Sequence, residues 1–233
     1  AEDGIRDSST SRVLGDVYKR QKQDKGAIEM IGDMQSWTPN VAGIIEHAKK
    51  VHPKTEIISR LVSGEIHRSN YEEVCIRSRK LASALEKDGY KEGDVLATLA
   101  LNTYRHLEMY YGISGMGAIT HTLNFRLHPE QAVYIINHAE DKIIFVESPF
   151  VPILEAIQDQ IPTVEKFIVL CDKNELPETS LKNAISYEEY IQDGDENYVW
   201  PTLKDDAACG LCYTSGTTGN PKGVLYSHKS NVI

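Results

Sequence analysis

The sequence predicts an α/β fold in which a mostly parallel β-sheet is flanked by helices, with an added N-terminal β-hairpin. Short apolar runs bounded by turn residues recur along the chain, as expected for buried strands. Helical patterns of about 10 to 15 residues separate these runs, which is typical of βαβ crossovers. A stretch rich in Gly, Ser and Thr follows the last apolar run, where a parallel sheet commonly binds its ligand.

The N-terminal elements have clear local signals. Val41 to Lys50 carries apolar residues on one helical stripe. Thr55–Leu61 and Glu65–Asn70 read as two strands around a Ser-Gly turn, which predicts the hairpin. Ser69 stands three residues before Glu72, a spacing that predicts a capping box at the start of the next helix.

The sheet is predicted from five apolar runs, which are Val95–Ala100, Ile119–Leu123, Ile143–Val146, Phe167–Leu170 and Ala207–Tyr213. Asn102 is predicted to cap a helix that runs through Tyr111, and two further helices are predicted over Pro129–Asn137 and Val151–Gln158. Asp172–Asn197 is polar and is predicted to be mostly loop, with a helical turn around Tyr187–Tyr190. No internal repeat is present, and these elements favour one continuous domain.

The last strand leads into a phosphate-binding layout. Glycines can adopt positive φ, so that successive backbone N–H groups face one anion, while hydroxyls and a lysine add donors and charge. The candidate ligands of a diphosphate or triphosphate are Thr214, Ser215, Gly216, Thr217, Thr218, Gly219 and Lys222. The pattern is not a Walker A loop, because Pro221 precedes the lysine and Gly223 follows it.

The stretch YTSGTTGNPKGV resembles the phosphate loop of the adenylate-forming enzymes, which include acyl-CoA synthetases, luciferases and the adenylation domains of peptide synthetases. Upstream, YRHLEMYYGISGMGAITHTLNFRLHPEQAVYIINHAEDKIIFVE resembles fatty-acyl-CoA ligases, and most of all the bacterial subgroup with 3-(methylthio)propionyl-CoA ligase. The resemblance covers residues 30–233. It implies the N-terminal part of the large domain of such an enzyme.

The resemblance also implies a two-step reaction. ATP and a carboxylic acid give an acyl-adenylate and pyrophosphate, and the thiol of coenzyme A then displaces AMP. By position in the motif, Thr214 helps to place Mg²⁺, and Ser215, Gly216, Thr217, Thr218, Gly219 and Lys222 surround the β- and γ-phosphates. The catalytic residues are expected downstream of Ile233, so the 233-residue chain is predicted to be an inactive fragment.

The first residues are predicted to be foreign to the domain. AEDGIRDSSTSRVLGDVYKRQ resembles the in-frame translation of a sequencing-library adapter and has no hydrophobic period. Residues 1–29 are therefore interpreted as a disordered, adapter-derived or upstream tail. Residues 30–233 are interpreted as an incomplete adenylation domain that starts at Met30 and is cut off just after the phosphate loop.

Composition narrows the function class. The net charge of −9 argues against nucleic acid, whose phosphates require a basic surface. No apolar run approaches the length of a membrane span, and no segment resembles a signal peptide. A cytoplasmic protein is predicted, and the resemblance adds a possible homodimer as its full-length state.

Other candidate residues are interpreted structurally. Cys209 and Cys212 have C-x-x-C spacing but lie on a predicted strand, which favours buried cysteines over a redox or metal site. His121 and His128 flank TLNFRL, where they could approach a substrate, but they are interpreted as loop or surface residues. His228 is interpreted as a capping or packing residue. The adjacent Tyr110 and Tyr111 are expected to pack in the core.

Two alternatives to an acyl-CoA ligase remain open. One is an adenylation domain that activates an aryl acid or an amino acid. The other is a truncated nucleotide-binding module without catalysis. Residues beyond the phosphate loop would separate the first alternative from the ligase, and an assay of AMP release would separate the second.

Overall fold

The computed structural model describes residues 37–204, 206–214 and 220–233. The strands are β1 Glu56–Arg60, β2 Ile66–Asn70, β3 Val95–Leu99, β4 Ile119–Thr122, β5 Ile143–Val146, β6 Lys166–Val169, β7 Ala184–Ser186, β8 Ala208–Thr214 and β9 Lys222–Ser227. The helices are α1 Ala42–Val51, α2 Tyr71–Lys87, α3 Tyr104–Gly115, α4 Pro129–Ala139, α5 Val151–Ile157, α6 Tyr187–Ile191 and α7 His228–Val232.

Seven strands form one sheet in the order β7-β6-β5-β3-β4-β8-β9. Neighbouring strands are parallel from β7 to β8, and only the β8–β9 pair is antiparallel. β1 and β2 form a separate antiparallel hairpin in which Ile58 lies opposite Arg68. The predicted fold class, a mostly parallel sheet with an N-terminal hairpin, is therefore confirmed.

Helices cover both faces of the sheet because the apolar residues of its central strands alternate between two cores. Leu96 and Ile143 pack with residues of α2, α3 and α6. Their neighbours Ala97 and Ile144 face the other way and pack with residues of α4 and α5. Continuous apolar runs such as Ile143–Val146 are fully buried for this reason. None of the helices in the described residues has both the length and the apolarity needed to cross a bilayer.

Two predicted helix caps are wrong. α2 is capped by Asn70, whose side chain accepts a hydrogen bond from the backbone N–H of Glu73 at 2.9 Å. Ser69 cannot take this role because the helix begins at Tyr71, so that Asn70 and not Ser69 directly precedes it. Asn102 does not cap α3 either, since a turn continues as far as Thr103, the residue that precedes the helix.

The polar segment from Asp172 to Asn197 contains one strand that the sequence analysis missed. β7 is three residues long and pairs in parallel with β6 at the edge of the sheet. Such a short strand gives no measurable two-residue period. The predicted helical turn is confirmed as α6, and Ser186 caps it by accepting a hydrogen bond from the N–H of Glu189.

We expect Gly194→Ala to be among the more destabilising single-methyl changes in this chain. A Cβ at this position would lie 2.1 Å from the backbone oxygen of Lys80 in α2, so that backbone itself would have to move. Forced overpacking of this kind costs about 1–3 kcal/mol. Denaturant unfolding of the purified chain measures this loss.

Gly210→Ala in β8 is the matched control. Its Cβ would approach nothing closer than the oxygen of Thr120, at 3.9 Å, which is an ordinary van der Waals contact. We expect its free energy of unfolding to stay within about 0.5 kcal/mol of the unmodified chain. Equal losses for both variants would contradict the close packing of the Gly194 turn on α2.

Candidate functional site

The ends of β8 and β9 hold the two ends of the predicted phosphate loop. Thr214 is the last residue of β8 and lies directly opposite Lys222, the first residue of β9. The Thr214 hydroxyl is 3.5 Å from the backbone oxygen of Lys222, and both side chains are exposed. The structure therefore brings together the first and last of the predicted phosphate ligands. Ser215, Gly216, Thr217, Thr218 and Gly219 lie outside the described residues.

The topology places this loop beside a natural ligand crevice. The crossover from β3 to β4 runs through α3 on one face, and the crossover from β4 to β5 runs through α4 on the other. Ligands of open α/β sheets bind where successive crossovers change face, outside the carboxyl ends of the strands. β8 is the parallel neighbour of β4, so its loop emerges at the same edge.

A cavity of about 330 Å³ lies at this edge, next to the loop ends. His121 and Thr122 of β4 contribute to it from one side, and Tyr213 and Thr214 of β8 from the other. Gln131 of α4 adds a further polar group. The cavity thus joins the end of β4 to the start of the phosphate loop.

His121 is fully buried in this wall. Its Nδ1 lies 2.9 Å from both carboxylate oxygens of Asp141, which is also fully buried. Burial raises the pKa of Asp141 to about 6, although the hydrogen bond and charge of His121 act against the rise. The expectation that His121 is a loop or surface residue is therefore wrong, because its side chain points from β4 into the layer of α4.

The structural interpretations of His128 and His228 are confirmed. His128 is exposed and immediately precedes α4. His228 is fully buried, and its Nδ1 accepts a hydrogen bond from the backbone N–H of Val41 at 3.2 Å. This contact confirms that His228 packs.

A second, largely apolar cavity of about 400 Å³ lies along β8 towards α3. Tyr110 and Tyr111 contribute to its wall, and Tyr110 is 44% exposed. Core packing of Tyr110 was therefore a wrong prediction. Its side of α3 faces this groove, which no other described element fills.

The two cysteines of the C-x-x-C pattern both lie on β8, as predicted, and both are free thiols, although Cys212 is only partly buried. Cys209 is buried, and its sulfur accepts a hydrogen bond from Asn231 at 3.3 Å. The sulfur of Cys212 lies 3.4 Å from the hydroxyl of Thr122 on β4. In the described part of the chain, no three His, Cys, Asp or Glu side chains are grouped as metal ligands would be.

A polar cluster that the sequence analysis missed lies on the opposite side of the sheet from His121. Glu108 of α3 is fully buried and binds Nε of Arg77 at 2.7 Å. Tyr187 donates a hydrogen bond to its second oxygen at 3.0 Å. Glu188 joins the cluster by binding both Arg77, at 2.8 Å, and Arg105, at 2.9 Å. The one available signal was a glutamate at a core position of an apolar helix.

Residues 45–233 match the family described as AMP-binding enzymes. The chain is 46% identical over 204 residues to a medium-chain-fatty-acid–CoA ligase of Ectopseudomonas oleovorans, covering 88% of this chain and 37% of that protein. It is 44% identical to a 3-methylmercaptopropionyl-CoA ligase of Ruegeria lacuscaerulensis, covering 88% of this chain and 38% of that one. The chain thus spans less than two fifths of these relatives.

Solved structures confirm the fold. An anthranilate CoA ligase in complex with anthranoyl-AMP superposes with a TM-score of 0.71 at 24% identity, covering 82% of this chain and 35% of that one. A long-chain-fatty-acid–CoA ligase of Archaeoglobus fulgidus superposes with a TM-score of 0.70 at 20% identity, covering 84% and 38%. Fold, motif and sequence agree, and the chain belongs to the family of AMP-binding enzymes.

Proposed function

We propose that this chain supplies the ATP-phosphate site of an AMP-forming acid–thiol ligase, an acyl-CoA synthetase. The substrate would be a fatty or methylthio-alkanoic acid, which is activated as an acyl-adenylate and transferred to coenzyme A. The observation that carries the proposal is the pairing of Thr214 with Lys222 across β8 and β9 in a chain whose relatives are CoA ligases.

The chemistry needs such a site. A carboxylate oxygen attacks the α-phosphorus of ATP, and the bond to the bridging oxygen of pyrophosphate breaks. Negative charge collects on the departing pyrophosphate, and the Lys222 ammonium at the loop end would stabilise it. The coenzyme A thiol then attacks the acyl carbonyl, loses its proton and releases AMP.

Magnesium would bind at the other end of the loop. The exposed Thr214 hydroxyl is a hard oxygen donor, which fits a Mg²⁺ ion that takes its remaining ligands from phosphates and water. The ion would add positive charge beside the phosphates. Thr214 would orient it through one oxygen, while Lys222 contributes its charge from the opposite strand.

The acid is proposed from the relatives. The two relatives named above are a medium-chain-fatty-acid–CoA ligase and a 3-methylmercaptopropionyl-CoA ligase. Their names support an aliphatic or thioether acid as the substrate. The sequence identity of this chain to both relatives, 46% and 44%, is well above its 24% identity to the anthranilate ligase. An aryl-acid adenylation domain is therefore the weaker candidate. A cytoplasmic location, a homodimer and a domain boundary at residue 30 remain predictions.

The phosphate site is tested with Lys222→Ala in the purified chain. Loss of a charge-assisted contact to phosphate is expected to weaken Mg·ATP binding about 10- to 100-fold in isothermal titration calorimetry. Lys54→Ala is the matched control, because Lys54 is also exposed but precedes β1, far along the chain from the loop. Equal affinity of both variants, or no ATP binding by the unmodified chain, would refute the proposed site.

Ligation is tested in a hybrid enzyme. This chain replaces the matching 204 residues of the Ectopseudomonas oleovorans ligase, and AMP release is followed with ATP, Mg²⁺, coenzyme A and a panel of carboxylic acids. We expect release that needs both an aliphatic acid and coenzyme A. A folded hybrid that binds ATP but releases no AMP would favour the non-catalytic module instead.

A further inference from the structure

The His121–Asp141 pair lies at an unusual place for two polar side chains. Both residues are fully buried, and their neighbours in this layer are apolar residues of β3, β5 and α4. Burying an ionisable pair has a desolvation cost that a well-packed apolar pair would avoid. Stability of the core alone therefore does not account for the pair.

The pair fixes the orientation of the His121 ring. Asp141 contacts Nδ1 through both oxygens, so Nδ1 carries the proton that it donates. The opposite nitrogen, Nε2, is buried and has no hydrogen-bond partner in the described part of the chain. Most buried polar atoms are hydrogen-bonded. His121 is also one of the residues that line the 330 Å³ cavity beside the loop ends.

The His121 ring also lies near the ring of Tyr213, the residue that precedes the first predicted phosphate ligand, Thr214. The ring centroids of His121 and Tyr213 are 5.2 Å apart, with the planes tilted by 45°. The Tyr213 hydroxyl lies 2.6 Å from Nδ1 of His138, so the tyrosine is held from both sides. Thr214 follows directly, and its position on β8 depends on how Tyr213 is seated.

We propose that His121, oriented by Asp141, is a positioning residue of the phosphate site. Its ring seats Tyr213 and thereby sets the start of the loop opposite Lys222. The proposal rests on the proposed function, because it assigns His121 to the same ATP-phosphate site. It predicts an effect on triphosphate binding and little effect on AMP, whose single phosphate does not extend to the β- and γ-phosphate positions.

The test is His121→Asn in the purified chain. The asparagine amide can donate to Asp141 as Nδ1 does, so the buried carboxylate keeps a partner, but the ring that seats Tyr213 is gone. We expect Mg·ATP affinity to fall about tenfold in isothermal titration calorimetry, while AMP affinity changes less than about twofold. Asp141→Ala removes the acceptor of the Nδ1 proton and frees the histidine ring to turn. This variant is also expected to lower the affinity for ATP relative to the affinity for AMP.

His228→Asn is the matched control, since His228 is equally buried and also has an unpartnered Nε2 within the described residues. It contacts Val41 instead of the loop, so it should lower the melting temperature without changing the ratio of affinities. An unchanged ratio in His121→Asn, in a chain that binds ATP and responds to Lys222→Ala, would overturn the positioning role alone. Absence of ATP binding by the unmodified chain would overturn the proposed function, and this inference with it.

Discussion

Replacing Arg77 by alanine is expected to lower the free energy of unfolding by about 1–3 kcal/mol, the usual cost of leaving a buried polar group without its hydrogen-bond partner. Arg77 binds Glu108, whose side chain is 0% exposed, and Glu188, whose side chain is 24% exposed. It also lies over the rings of Tyr104 and Tyr187. Its loss would leave Glu108 with only the Tyr187 hydroxyl as a partner among the contacts described above.

Arg68→Ala separates this effect from the general loss of an arginine. Arg68 pairs with Glu56 across the β1–β2 hairpin, with side chains that are 59% and 50% exposed. Exposed pairs contribute about 0–1 kcal/mol, so this variant should unfold almost like the unmodified chain. Chemical denaturation of both variants at pH 7 gives the comparison. Similar losses would mean that the Glu108 cluster contributes no more than a surface ion pair.

The sheet could be predicted from sequence because burial on both faces makes its strands distinctive. Ile143–Val146 is apolar without interruption, and its predicted bounds match the structure. Helix starts were less predictable, since Ser69 and Asn70 are both good capping residues and the choice between them depends on the helix beginning at Tyr71. β7 escaped notice because its three residues gain their strand conformation from pairing with β6.

The candidate site also has one part that could be predicted from the sequence and one part that could not. Its ends, Thr214 and Lys222, lie in a local motif whose composition already indicates phosphate binding. His121 and Asp141 are twenty residues apart and meet only because β4 and the segment before β5 enter the same layer. A lone histidine in a sequence does not reveal such a partner. Long-range polar pairs are therefore the part of this site that required the structure.

Glu108 should make the stability of the chain depend on pH in an unusual direction. Burial raises the pKa of Glu108 to about 7, and attraction to Arg77 only partly offsets the rise. The folded chain thus holds this proton more tightly than the unfolded chain, whose glutamate has an ordinary pKa near 4.5. The contribution of protonated Glu108 is complete below that value and is lost as the pH rises towards 7.

Glu108→Gln keeps the shape of the side chain and removes its titration. Between pH 4.5 and 7, the unmodified chain is expected to lose stability relative to this variant, by at most about 1.4 kcal/mol per pH unit.

Glu188→Gln is the comparison variant, because the pKa of Glu188 is shifted in the opposite direction. Burial raises the pKa of Glu188, but hydrogen bonds and charges of Arg77 and Arg105 outweigh burial and lower it. The contribution of ionised Glu188 to the stability of the chain is therefore complete above its ordinary pKa of 4.5 and is lost as the pH falls below that value. Unfolding curves recorded from pH 3 to pH 8 should show the two differences changing in opposite directions, since the Glu188 difference develops below pH 4.5 and the Glu108 difference above it. Parallel curves for the unmodified chain and Glu108→Gln would mean that the pKa of Glu108 is the same in the folded and the unfolded chain.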